Sequence, residues 1–309
     1  MDKNSKIYIA GHFGLVGSSL VRNLKKKGYK NLLLKTRKEL DLMDQAKVSA
    51  FFKKERPDYV FLAAAKVGGI MANKSFPVDF IRENLLIQDN VIHNSYLYKV
   101  KKLLFLGSSC VYPREAPQPI KEEYLLNGYL EPTNKAYALA KICGIVECQS
   151  HNIQYGTKFI SVMPCNLYGP NDNFDLETSH VLPAMIRKFL EAKNKKEKEI
   201  VMWGTGKAKR EFLFVDDLAE ACVFLMNNYD DSPIINIGTG KDISIKDLAN
   251  LVKKVVGYNG KIIWDKTKPD GMPRKLLNVK KINKLGWKHE VSIEEGVKIA
   301  YDWYMNSKK

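Results

Sequence analysis

Long apolar runs, paired cysteines and arginine are the scarce features of this 309-residue chain. No apolar run approaches the roughly 18 residues needed to span a bilayer, so a transmembrane helix is not expected. Met1 to Lys6 leads straight into a short apolar stretch ending at glycine, without the longer apolar core and small-residue cleavage site of a signal peptide. The five cysteines, Cys110, Cys143, Cys148, Cys165 and Cys222, are odd in number and form no CxxC pair. Neither a disulfide framework nor a metal site is expected, and a cytoplasmic address follows. Of the 50 basic residues only eight are arginine, leaving 42 lysines in short scattered groups such as Lys25-Lys26-Lys27. The net charge of +16 therefore reads as a lysine-rich solvated surface, with no nucleic-acid partner, although it would attract a phosphorylated ligand.

The composition is otherwise that of a globular chain, 45% apolar and 27% charged, long enough for one large core or two joined ones. Through the first half, β-rich runs at 6–10, 32–35, 59–63, 102–107 and 159–163 alternate with helical stretches at 16–27, 44–55, 82–98 and about 134–154. That alternation predicts a parallel sheet covered by helices. Beyond Pro164 the pattern loosens into a loop at 169–173, a helix at 182–192 and a charged turn at 193–199. A strand and helix follow at 211–228, then a strand at 234–237 ending in Gly238-Thr239-Gly240, and a helix at 246–256. There is no repeat at solenoid periods.

The first strand is followed by Gly11-His12-Phe13-Gly14-Leu15-Val16-Gly17, a GxxGxxG spacing that opens a helix. These glycines allow a tight turn, close backbone approach to a pyrophosphate and close helix–strand packing, with the helix N-terminus facing the anion. An ordinary βα turn can be glycine-rich too, but here the strand before and the helix after supply the context of a dinucleotide site. In an NAD site the second strand ends in a carboxylate for the ribose; this one ends Lys35-Thr36-Arg37-Lys38, which suits the 2′-phosphate of NADP. Thr36, Arg37, Asp41 and Leu42 are expected to contact the cofactor, with the planar guanidinium of Arg37 foremost, unless the run is plain basic surface. The expected fold is an α/β, Rossmann-type doubly wound parallel sheet with a smaller, interleaved C-terminal substrate domain. Residues 1–165 with 211–240 would bind the dinucleotide, and 166–210 with 241–309 the substrate.

After the fourth strand comes Leu106-Gly107-Ser108-Ser109-Cys110-Val111-Tyr112-Pro113, and the long helix carries Tyr137-Ala138-Leu139-Ala140-Lys141. The i, i+4 spacing sets the tyrosine and lysine on one helical face, where the ammonium can lower the phenol's pKa toward neutrality. Such a phenol can act as general acid for a ketone being reduced by hydride, and Ser108 can hydrogen-bond the same oxygen. Together the glycine loop, Ser108, Tyr137 and Lys141 resemble the extended short-chain dehydrogenase/reductase family. Six longer stretches narrow the resemblance to its GDP-L-fucose synthase branch, the GDP-4-keto-6-deoxy-D-mannose epimerase-reductases. They are 63–70 (AAAKVGGI), 83–85 (ENL), 106–113, 164–169 (PCNLYG), 179–184 (SHVLPA) and 268–271 (KPDG).

The resemblance covers nearly the whole chain and implies that Ser108, Tyr137 and Lys141 form a reductase triad while Cys110 and His180 epimerise. A C4 ketone acidifies the protons at C3 and C5, so a thiolate and an imidazole on opposite faces can remove and return them. Alone, a cysteine after a strand is more often a small buried hydrophobe and a loop histidine a surface residue; their places inside the motifs reverse both readings. The resemblance further implies that Leu106, Gly107, Ser109, Pro164, Cys165, Asn166 and Leu167 line the nicotinamide of NADPH. Lys188, Trp203, Arg210 and Asn278 would hold a GDP-linked 4-keto sugar. Arg210 can fork onto a pyrophosphate, whereas Trp203, the resemblance aside, reads more readily as a core residue.

Three departures edit recognition and leave the chemistry intact: Phe13 where arginine is usual, Asn278 where aspartate is common, and Asp175-Leu176-Glu177 where histidine and proline are usual. The nearest rival activity is a C4-reductase of another GDP-4-keto sugar such as a GDP-keto-heptose, with epimerisation weak or absent. A non-catalytic NADP-binding regulator would keep the glycine loop but has no need of Ser108, Tyr137 and Lys141. Finally, helix 82–98 carries Leu85, Leu86, Ile87, Val91, Ile92, Tyr96 and Leu97, a broader stripe than one sheet face requires. With the long helix as neighbour, a homodimer is expected.

Overall fold

A computed structural model of the chain describes residues 1–268 and 270–307; Pro269, within the KPDG stretch, lies outside the described residues. Strands buried on both faces read as largely apolar runs, and that is the character of β1 (Ile7–Ala10), β3 (Tyr59–Leu62), β4 (Lys102–Leu106, apolar after its lysine) and β5 (Phe159–Pro164, with Ser161 inside it), while β2 (Leu32–Leu33), at the sheet edge, is half-buried. Between them run α1 (Leu15–Lys26), α2 (Gln45–Glu55), α3 (Ile70–Ser75), α4 (Pro77–Leu97) and α5 (Lys135–Tyr155). Local chemistry sets the helix ends. Asp44 caps α2 by accepting the Lys47 amide at 3.1 Å, and Pro77, whose fixed φ suits a first helical position, starts α4 five residues before the expected 82.

Past β5 a single residue, Cys165, precedes β6 (Asn166–Tyr168). Then come α6 (Val181–Asn194), β7 (Glu199–Trp203), β8 (Lys209–Phe214), α7 (Val215–Asn228), β9 (Ile235–Ile237), β10 (Asp242–Ser244) and α8 (Ile245–Val256). The chain continues through β11 (Lys261–Asp265), β12 (Arg274–Lys275), α9 (Lys280–Lys284) and α10 (Ile293–Ser307). The first sheet has the order β2-β1-β3-β4-β5-β9, parallel throughout. It is the expected Rossmann-type doubly wound sheet, with helix pairs α1–α7 and α4–α5 packed around it. Its strand order reverses between β1 and β3, and the crevice outside the carboxyl ends of such strands is where ligands bind.

A second, smaller sheet runs β10-β8-β12 with β6 on β8, and β11 pairs with β7. It has its own core, in which Tyr168, Phe189, Leu248 and Val297 are buried, apart from the larger core around the first sheet. β8 is bonded within this second sheet, and α7, following without a break, packs on α1, so the chain returns to the first layer at that junction. Among the described residues no helix is long and apolar enough to cross a membrane.

Candidate active site

The cradle after β1 is closed to side chains. Gly11 has φ +83°, and a Cβ there would lie 2.8 Å from the Ala64 backbone; one on Gly17 would lie 2.1 Å from the Gly11 carbonyl oxygen. Gly14 caps α1 with no side-chain hydrogen bond, leaving the first-turn amides of that helix for an anion. The buried Nδ1 of His12 has no hydrogen-bond partner, and burial holds its imidazole below its usual pKa. Phe13 is 71% exposed and packs on the His12 ring at 4.2 Å.

Arg37 stands at the surface, 3.9 Å from both Asp41 and Glu83, held loosely enough to turn to a phosphate. Thr36 accepts the Glu39 amide at 3.3 Å, and Leu42 is buried in the larger core. An anion-ready helix start, a backbone that only glycine permits and a loosely paired guanidinium fit the pyrophosphate and 2′-phosphate of NADP. Leu15 and Val16 open α1 immediately behind this cradle.

At the end of β4, Ser108 caps a single turn of 3-10 helix and accepts the Cys110 amide at 3.2 Å. Its side chain is also bonded to the Tyr137 hydroxyl. Gly107 is tight against Met163, whose Cε would stand 2.4 Å from a Cβ, and Ser109 is buried. Lys141 is buried and donates to the Leu106 carbonyl oxygen at 2.7 Å, with the Tyr137 ring centroid 5.9 Å away. The spacing therefore brings Ser108, Tyr137 and Lys141 together, but the electrostatics differ from expectation. Burial pushes the Tyr137 phenol up rather than toward neutrality, with Cys110 adding to the rise and the Ser108 bond opposing it. Burial likewise pulls Lys141 down to about 7. In the free protein, desolvation outweighs the ammonium's effect on the phenol.

Cys110 faces a group that the sequence does not place there. The Lys275 ammonium, from β12, lies 3.6 Å from Cys110 Sγ, where it would stabilise a thiolate. His180 caps α6 without a side-chain bond of its own. Although much of its surface reaches solvent, the protein around its ring holds the imidazolium's pKa down, and Lys275 adds to that effect. Cys165 is the opposite case: it is buried and its thiol is pushed far up, chiefly by desolvation and then by Glu211.

Pro164 ends β5, and Asn166 and Leu167 open β6, with Asn166 Nδ2 donating to the Glu211 carbonyl oxygen at 2.7 Å. On α6, Lys188 donates to the Val201 carbonyl oxygen of β7 at 2.6 Å, and burial lowers its pKa. Trp203 is 60% exposed, so it is not the core residue that composition alone suggested; the Lys268 ammonium is 5.8 Å from its ring centroid. Arg210 pairs in register with Lys275, and burial lowers its pKa against the pull of Asp270. Asn278 accepts the Lys280 amide at 3.0 Å and, through its own amide, donates to Ile120 at 2.7 Å. Asp270, part of the KPDG stretch but given no role by the sequence, accepts two bonds from Thr205 at 2.6 Å each on the same side as Arg210.

A glycine cradle on a Rossmann-type sheet with a Ser-Tyr-Lys cluster at the carboxyl edge defines the class. The chain belongs to the NAD dependent epimerase/dehydratase family, which it matches over residues 7–238. It is 58% identical over 306 residues to GDP-L-fucose synthase 1 of Arabidopsis thaliana, covering 99% of this chain and 95% of that one. A GDP-6-OMe-4-keto-L-xylo-heptose reductase from C. jejuni has the same fold at TM-score 0.95 and 45% identity, covering 99% of both chains. A GDP-L-fucose synthetase from Naegleria fowleri bound to NADP superposes at TM-score 0.92 and 29% identity, covering all of this chain and 96% of that one.

Proposed function

We propose that this chain is an NADPH-dependent epimerase-reductase that converts GDP-4-keto-6-deoxy-D-mannose into GDP-L-fucose by inverting C3 and C5 and then reducing the C4 ketone. The observation that carries the reading is the setting of Cys110, a thiol with a cation 3.6 Å away beside the phenol that would protonate the ketone oxygen. The Cys110 thiolate takes the protons that the C4 ketone acidifies, and His180 returns them on the opposite face. Burial keeps the Tyr137 phenol protonated at neutral pH, which is the form a general acid needs; Ser108 hydrogen-bonds the same substrate oxygen. When bound, NADPH supplies the hydride to C4. Gly11 to Gly17 and Arg37 would hold its phosphates, and Leu106, Gly107, Ser109 and Pro164 to Leu167 would hold its nicotinamide end.

Lys188, Trp203, Arg210 and Asn278 hold the GDP-sugar, with Arg210 on the pyrophosphate. Residues 1–165 with 211–240 serve the dinucleotide and 166–210 with 241–309 the sugar, with β8 (Lys209–Phe214), bonded in the second sheet, straddling that boundary. The enzyme acts as a cytoplasmic homodimer joined through α4 and α5. Leu139, Val146, Ile153 and Tyr155 of α5 are exposed along that face.

A second reading, C4 reduction of a GDP-keto-heptose without epimerisation, draws on the likeness to the C. jejuni heptose reductase. The deciding experiment gives the protein NADPH and GDP-4-keto-6-deoxy-mannose and identifies the product by NMR. GDP-L-fucose is expected; GDP-rhamnose or GDP-6-deoxy-talose would mean reduction alone. In D₂O without NADPH, deuterium should enter C3 and C5, and Cys110→Ser should slow that entry strongly. His180→Asn should impair proton return, so that exchange at a carbon outlasts net inversion.

A further inference from the structure

The Gly238-Thr239-Gly240 turn after β9 takes no part in the cradle or the triad, yet it closes tightly on a carboxylate. Glu211 of β8 is fully buried. Its Oε1 accepts the Gly240 amide at 2.6 Å and lies 3.5 Å from the Thr239 hydroxyl, and its Oε2 accepts the Leu277 amide at 2.9 Å. A Cβ on Gly238 would come within 2.3 Å of Oε1, so glycine is what lets the turn reach the carboxylate. Burial pushes the Glu211 carboxyl up to about 7 even though these amides pull the other way. Among the described residues it has no salt-bridge partner within 4.0 Å.

What this costly group anchors is the strand end that carries Lys275. Three consecutive amides there go to three partners: Leu276 to the Gln118 side chain at 2.8 Å, Leu277 to Glu211 at 2.9 Å, and Asn278 to the Ile120 carbonyl oxygen at 2.7 Å. Along extended backbone, residues two apart share a face. Fixing Leu277 therefore sets the direction of Lys275, whose ammonium meets Cys110.

We propose that Glu211 is a positioning residue for epimerisation: its carboxylate ties the Gly238–Gly240 turn to Leu277 and so holds the Lys275 ammonium against the Cys110 sulfur. The inference rests on the reading of Cys110 as the proton-abstracting group. The charged and titratable groups bearing on that sulfur and its cation are Lys275 on β12, Tyr137 and Lys141 on α5, His180 ahead of α6, Cys165 after β5, and Glu211 itself. Of the cations among these, Lys275 is the one whose strand is held through Leu277.

The test follows iodoacetamide alkylation of Cys110 in the full chain against pH, read by mass spectrometry of the Cys110 peptide because Cys143 is also exposed. Glu211→Gln can accept only one of the two amides and should slow alkylation at pH 7 roughly fivefold, with its pH midpoint moved upward. Lys275→Met should do the same, and the double variant should lose no more than either single one. NADPH affinity should stay within about twofold of wild type, while C3/C5 deuterium exchange should fall about tenfold. An unmoved pH midpoint, or losses that multiply in the double variant, overturns the proposal. Should Glu211→Gln fail to fold, Gly238→Ala, which presses on the carboxylate without removing it, is read by the same outcomes. If the wild type reduces the keto sugar without exchange, the epimerase reading fails, and the alkylation arm alone decides whether Glu211 acts through Lys275.

Discussion

Lys141 Nζ donates to the Leu106 carbonyl oxygen at 2.7 Å, tying the middle of α5 to the end of β4. The ammonium is otherwise surrounded by rings, with Phe105 at 4.7 Å and Tyr137 at 5.9 Å. Burial brings its pKa from 10.5 to about 7. From about pH 7 to 10.5 the unfolded chain therefore keeps a proton that the folded chain has shed, and this lysine's contribution to stability rises with pH across that window. Denaturant unfolding without cofactor should show wild type gaining on Lys141→Met between pH 7 and 10. A constant difference would mean that the folded protein keeps Lys141 charged.

Tyr137→Phe removes the proposed proton donor and nothing that touches NADP phosphates. Reduction should fall about 10²-fold or more with NADPH affinity intact. Turnover near wild type in a stopped-flow assay of NADPH oxidation would take the tyrosine out of that role.

Arg37 shares its charge with Asp41 and Glu83 only at 3.9 Å, weak pairing at a solvated site. Arg37→Ala should thus leave stability nearly unchanged and weaken NADPH by about tenfold or more while sparing NADH, because only NADPH carries the 2′-phosphate. Titration of both cofactors by fluorescence checks it; equal weakening would assign the phosphate to another residue.

The outer face of α5 is the third place to probe. Ile153 is 85% exposed on the helix that also carries Tyr155, stacked on Tyr96 at 4.1 Å, and Glu147, whose carboxyl burial and Asp89 push up to about 8. Ile153→Asp should cost the folded monomer little, yet sedimentation at micromolar concentration should show the dimer weakened. A wild type that sediments only as monomer would exclude the dimer.

The sequence carries the first sheet and its helices because each strand there is a separate apolar run between helical periods. The smaller sheets and the helix that closes the chain are less legible, for physical reasons. β7 alternates exposed and buried residues in a five-residue span, β12 is two basic residues, and α10 buries only Gly296, Val297, Ala300 and Tyr304. Neighbours on a helix are legible in the same way, so Tyr137 and Lys141 could be paired from spacing. Their pKa values could not, because burial decides them. Nor can Lys275 be assigned to Cys110 from sequence, since 165 residues separate the two and long-range pairing, of β12 with β8 and of Leu277 with Glu211, brings that strand to the site.

The passage from β5 to β6 through Cys165 alone makes the chain a ruler between the two sheets. Pro164 belongs to the first sheet and Asn166 to the second, and two residues of extended chain span about 7 Å. No loop lies between them to lengthen. Any opening between the two sheets would therefore pivot about a joint whose spacing is fixed by covalent geometry.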